Sequence, residues 1–143
     1  MPFYRVFAPA GSLDAEQKKQ LASEFADIHC KLTNGTPRKF VHVNFEDVPE
    51  GNAWTGGEPS TVTKVVGLIR SGRSREVRQA LVVEFTEMMQ RITGLSSADI
   101  VVTLQEVRPE DSMEWGIFLP EDGEEAAWAA KHDLGRLGVH ATK

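Results

Sequence analysis

The sequence predicts an α+β fold of two layers: tandem β-α-β repeats forming one four-stranded mixed sheet, with two helices on one face. Three observations predict it. Two stretches carry apolar residues at helical spacing, Leu21, Phe25, Ile28 and Leu32 in one and Val77, Leu81, Phe85, Met88 and Ile92 in the other. Each is flanked by short runs rich in Val, Ile and Phe. The two halves also rhyme: Leu32-Thr33-Asn34-Gly35 answers Ile92-Thr93-Gly94, and Glu46-Asp47-Val48-Pro49 answers Glu106-Val107-Arg108-Pro109.

Phe3 to Ala8 reads as the first strand and Pro9-Ala10-Gly11-Ser12 as a turn. Asp14, with Gln17 three residues on, is a helix-capping pair. Asn34-Gly35 closes that helix, because both residues tolerate the left-handed conformation of a C-cap. Phe40 to Phe45 follows as a strand, with Val41, Val43 and Phe45 on one face and His42 and Asn44 on the other. Glu46 to Ser60, rich in Gly and Pro, reads as a loop carrying Trp54. Thr61 to Ile69 is a nearly continuous apolar strand that suits cover on both faces. After Arg70-Ser71-Gly72-Arg73, Ser74 caps the second helix, which stops at Gly94. Ile100 to Val107 is the last long strand. Long crossover helices imply parallel pairing within each half. Helices on one face leave the other bare, and oligomerisation would bury it.

A chain of 143 residues suits one domain, here 2–120, with pseudo-repeats at about 2–57 and 58–110 and an acidic segment and tail over 121–143. A net charge of −5 argues against general nucleic-acid binding. No apolar run approaches a membrane span and no secretory leader is visible, so a cytoplasmic protein is expected. A single cysteine, Cys30, rules out an internal disulfide. His29, His42, His132 and His140 show no ligand spacing, so no metal is expected.

Five residues could carry chemistry. If Met1 is trimmed, Pro2 becomes the terminus and carries a secondary amine on a rigid ring. Arg70 and Arg73 flank a glycine where a strand turns into a helix, an arrangement that suits a carboxylate or equally a solvated charged turn. His29 lies at the edge of the first apolar stripe, where it could pack, bond a carbonyl or move a proton. Glu114 stands between Met113 and Trp115, so desolvation could raise its pKa, although a surface acid fits as well. Hydrolase, phosphate-loop and dinucleotide motifs are absent.

Taken in order, Met1-Pro2, Ala26-Asp27-Ile28-His29, Val43-Asn44-Phe45 with Pro49, Gly51-Asn52, Gly56-Gly57, Arg70-Ser71-Gly72-Arg73-Ser74, Met113-Glu114-Trp115-Gly116 and Phe118-Leu119-Pro120 resemble the tautomerase superfamily. Within it they resemble the cis-3-chloroacrylic acid dehalogenase group. The resemblance implies a homotrimer without cofactor, acting on a small unsaturated carboxylate. It implies that Pro2 moves the proton, that Arg70, Arg73 and His29 hold the substrate, and that Glu114 activates a water together with a tyrosine. The tyrosine position is Thr103 in this chain. A threonine hydroxyl is shorter and does not ionise near neutral pH, so water addition loses its orienting partner unless another phenol, such as Tyr4, replaces it. Tautomerisation needs no such partner. The expectation is keto–enol tautomerisation of 2-oxo or 2-hydroxy unsaturated acids, with hydration or dehalogenation of 3-haloacrylates as a minor activity. The competing readings are a dehalogenase or hydratase as main activity, a non-catalytic carboxylate-binding trimer, and an interaction protein using the Trp54 loop and acidic tail.

Overall fold

The computed structural model describes residues 1–33 and 36–137. Strand β1 (Phe3–Pro9) leads to helix α1 (Ala15–Thr33) and strand β2 (His42–Val48). A small hairpin follows, β3 (Trp54–Thr55) and β4 (Glu58–Pro59). The pattern then repeats as β5 (Thr63–Arg70), α2 (Arg75–Thr93) and β6 (Ile100–Val107), with a second hairpin of β7 (Met113–Glu114) and β8 (Ile117–Phe118). A short helix, α3 (Glu125–Lys131), comes last.

The sheet order is β2-β1-β5-β6. β1 and β2 are parallel, β5 and β6 are parallel, and β1 meets β5 antiparallel at the join of the two units. Alternation along β1 buries Tyr4, Val6 and Ala8 under the helices, and β5 buries Thr63, Val65 and Ile69 on the same side. Leu21 and Phe25 of α1 and Leu81, Phe85, Met88 and Met89 of α2 close this core.

The predicted caps form. Asp14 and Gln17 bond reciprocally, each side-chain oxygen accepting from the other's backbone N–H at 2.7 and 3.0 Å. Ser74 accepts from the Val77 N–H at 3.2 Å, and Gly94 ends α2 at φ 75°. The Asn34-Gly35 cap lies outside the described residues.

Three readings change. Arg38–Phe40 is a 3-10 turn behind Pro37, so β2 begins at His42, and the Phe40 ring packs with Leu134 rather than under the helices. The segment read as a loop over Glu46 to Ser60 contains the β3–β4 hairpin, closed by Gly56 (φ 61°) and Gly57 (φ 86°). Successive positive φ values favour the turn type whose twist matches that of paired strands. β5 is covered on one face only; Lys64, Val66 and Leu68 remain half-buried on the bare side. The apolar side chains on both faces made the strand look fully enclosed. Among the described residues, no helix is long and apolar enough to cross a membrane.

Candidate active site

The site lies where the N-terminus, the end of β5 and the chain after β6 meet. Position two precedes the first strand directly, so pairing with β2 anchors it: the His42 N–H donates to the Pro2 carbonyl at 3.1 Å. Pro2 is buried. The amine of Met1 pairs with Glu114 Oε2, and Glu114 Oε1 lies 2.5 Å from His42 Nε2. The cluster therefore gathers a terminal cation, a carboxylate and an imidazole. His42 carried no role in the sequence reading; its place at the head of β2, beside β1 in parallel register with Phe3, is what brings it to Glu114.

The amine sits below its ordinary pKa. Burial is the main cause, and the Arg70 charge adds to it, while the hydrogen bond and charge of Glu114 pull in the opposite direction. Sequence names the same opposing influences but gives no distances with which to weigh them.

His29 lies one turn beyond Phe25 on α1 and is 2% exposed. Its Nδ1 is 2.7 Å from the Tyr4 hydroxyl. Burial, then the charges of Arg73, the N-terminal amine and Arg70, hold its pKa down at about 3, so the ring is neutral near pH 7. Tyr4 is wholly buried and bonded to His29, which removes it as a substitute phenol beside Glu114. Thr103 does not line the groove beside that glutamate within the chain. It faces outward on edge strand β6, opposite Val66, in a groove shared with Arg75, Arg78 and Gln105.

Arg70 and Arg73 come together as expected, both buried, across the turn containing Gly72. Their partners were not expected. Arg70 donates to the Pro120 carbonyl and, at 2.5 Å, to Glu125 Oε1. Arg73 pairs with Asp122, approaches the same Glu125 oxygen at 3.5 Å, and donates to Thr36 Oγ1 at 3.3 Å. A Cβ on Gly72 (φ 103°) would stand 2.8 Å from Asp122 Cβ, so glycine there admits the acidic segment. These acids were legible only as a patch of like charge between Glu121 and Glu125; nothing in their spacing points to Arg70.

The N-terminus separates two spaces. On the guanidinium side is a cavity of about 20 Å³, bounded by Arg70, Glu125, Phe40, Leu119 and Trp128, with room for about one water. On the Glu114 side is an open groove bounded by Phe3, His42, Leu68 and Met113. Met1 borders both. Among the described residues, no group of three or more His, Cys, Asp or Glu could hold a metal ion.

This arrangement can bind an anion at buried guanidinium groups, donate a hydrogen bond from a neutral imidazole, and take or give a proton at an amine. Comparison with known proteins gives the family. Residues 1–133 match the family model Tautomerase_3, described as "Putative oxalocrotonate tautomerase enzyme". A "Probable tautomerase" of Streptococcus pneumoniae serotype 4 is 41% identical over 61 residues, which are 43% of this chain and 98% of that protein. The crystal structure of N1, a member of the cis-3-chloroacrylic acid dehalogenase family, superposes with a TM-score of 0.88 at 26% identity, over 95% of this chain and 98% of that one. A fused 4-OT, solved as an asymmetric trimer, shares the fold, with a TM-score of 0.75 at 17% identity over 81% of this chain and 94% of its own.

Proposed function

Since the chain belongs to the Tautomerase_3 family, whose model its residues 1–133 match, we propose that it catalyses keto–enol tautomerisation of small 2-oxo or 2-hydroxy unsaturated carboxylates, using Pro2 as the proton carrier. The family places it among tautomerases; the substrate class and the proline are our reading.

The observation that carries the reading is the place of the buried N-terminus, where the amine pairs with Glu114 within reach of the Arg70 charge and Pro2 is itself buried. Removal of Met1 moves the terminus by one residue, about 3.8 Å between Cα atoms, and leaves a secondary amine at Pro2 within the same buried cluster. A proline amine whose pKa is lowered by burial can accept a proton from carbon and return it to the enol position. The substrate carboxylate goes to Arg70 and Arg73, which requires Glu125 to give up part of its pairing with them. His29 donates to the 2-oxygen, where negative charge develops in the enolate. No cofactor is invoked. The doubled β-α-β-hairpin order, with a relative that is matched over 98% of its length by 61 residues, less than half of the chain, supports a fused pair of tautomerase units at about 2–57 and 58–110.

The test follows ketonisation of an enolised 2-oxo acid by absorbance, together with the intact mass of the protein. Loss of Met1 and a fall of about 10² or more in kcat for Pro2→Ala are expected. Full activity in that variant, or in protein that keeps Met1, would overturn the proline mechanism.

One observation favours a second reading, hydration or dehalogenation of 3-haloacrylates. The superposition on the cis-3-chloroacrylic acid dehalogenase family member covers nearly the whole chain, and Glu114 is paired with His42 beside an open groove. Against it stands Thr103, whose hydroxyl is shorter than a phenol and does not ionise near neutral pH. Chloride release from cis-3-chloroacrylate separates the two: slow release by the parent is expected, and release faster than ketonisation would reverse the assignment.

A further inference from the structure

Tyr4 and His29 make a buried polar contact inside an otherwise aromatic part of the core. The Tyr4 ring stacks on Phe25 at 5.1 Å between centroids and meets Phe85 edge-on at 4.8 Å. Its hydroxyl therefore has a fixed place, 2.7 Å from His29 Nδ1. Both residues are buried, at 0% and 2% exposure. A phenol carries one hydrogen to donate, and among the described residues the Tyr4 hydroxyl has His29 as its only hydrogen-bond partner. If Nδ1 carried a proton, the phenolic O–H would face the apolar core with no acceptor, which buried hydroxyls avoid. The remaining arrangement has the phenol donating to Nδ1 and the imidazole proton on Nε2.

We propose that Tyr4 is a positioning residue for His29, locking the ring as the Nε2–H tautomer so that it meets the substrate only as a hydrogen-bond donor. This rests on the reading of the site given above and assigns His29 a fixed role within it. Proton transfer is thereby left to the N-terminal amine. The groups around the pair agree. Arg73 and Arg70 from the β5–α2 turn and the N-terminal amine all place positive charge near the imidazole and disfavour its protonation. Burial, with Cys30 on α1 adding to it, keeps the phenol protonated against the opposing charge of Arg73. Thr33 Oγ1 donates to the His29 carbonyl at 2.7 Å, steadying the helix end that carries the ring.

The experiment is 15N-edited NMR of the histidine rings in the intact protein between pH 5 and 8, for the parent and for Tyr4→Phe, with kinetics on an enolised 2-oxo acid. In the parent, His29 should show a protonated Nε2 and a lone pair on Nδ1 across the whole range. Tyr4→Phe keeps the ring packing and removes only the hydroxyl. It should give mixed tautomers and a fall in kcat of about tenfold or more, with a much smaller change in KM, because a donor to a developing oxyanion acts mainly in the transition state. A parent ring protonated on Nδ1 alone, or cationic at pH 6, would overturn the assignment. So would a Tyr4→Phe variant with the parent's tautomer and kcat. The NMR result does not depend on turnover, so a parent inactive toward enols would sink the proposed reaction while leaving the tautomer assignment to stand or fall separately.

Discussion

At the residue scale, the acidic partners of the arginine pair bear on the proposed binding of a substrate carboxylate. Glu125 bridges Arg70 at 2.5 Å and Arg73 at 3.5 Å, so a carboxylate arriving there would meet guanidinium groups that are already paired. Glu125→Gln keeps the shape and removes the charge. It should lower KM for a carboxylate substrate several-fold; an increase in KM would show instead that Glu125 supports the arginines in their binding positions. Glu125→Ala leaves two buried cations short of a partner and should cost about 3 kcal/mol or more in chemical denaturation, with acetate restoring part of the loss. His29 gives a separate prediction. Its folded pKa of about 3 lies below the ordinary 6.5, so between those values the unfolded chain takes up a proton that the folded chain refuses. Stability therefore falls as pH drops through this window, by up to about 1.4 kcal/mol per unit from this group alone. His29→Gln should flatten the slope relative to the parent, and an unchanged slope would show that the ring is charged when folded.

At the element scale, the two hairpins explain why one glutamate serves the site. β3–β4 and β7–β8 occupy matching places after β2 and β6, and both turn on residues with positive φ, Gly56-Gly57 and Trp115-Gly116. In the register of each hairpin, Thr55 stands where Glu114 stands, so only the second unit supplies the acid. Sequence shows the Gly56-Gly57 signal, but with two-residue strands it carries no periodicity from which pairing could be read. The pairing of β1 with β5 also matters to the site. Tyr4 lies opposite Gly67, where an added Cβ would come within 2.6 Å of Leu104 Cδ2 and 2.7 Å of Tyr4 Cε1. Gly67→Ala should therefore destabilise the protein by about 1–3 kcal/mol through overpacking and displace the Tyr4 ring from His29. Thermal melts and the His29 ring shifts would check both parts, and a variant as stable as the parent would show that the core yields there.

At the scale of the whole molecule, the sheet has one covered face and one bare face. Val66 and Leu68 stay half-buried on the bare side, and Val101 of edge strand β6 is 47% exposed. An uncovered apolar face calls for a second copy of the chain, and the homotrimer implied by the sequence resemblance would read by light scattering as three times the 15.8 kDa chain. Val66→Lys should shift the mass toward one chain, and a parent that runs as a monomer at micromolar concentration would refute the assembly.

Sequence by itself determined the layers, the order of the four main strands and two long helices and the caps at Asp14, Ser74 and Gly94, and it put forward Pro2, His29, Arg70, Arg73 and Glu114 as candidates, because period, capping chemistry and residue type are local properties. Tertiary structure alone decided what those residues face. Glu125 and Asp122 lie more than 45 positions from the arginines they pair with, and His42 lies 72 from Glu114. Tyr4 pairs with His29 across 25. Such pairings depend on how the sheet and the returning chain close on one another, and they set the depressed pKa of the buried amine, the neutral imidazole and the occupied arginine pair on which the proposed chemistry turns.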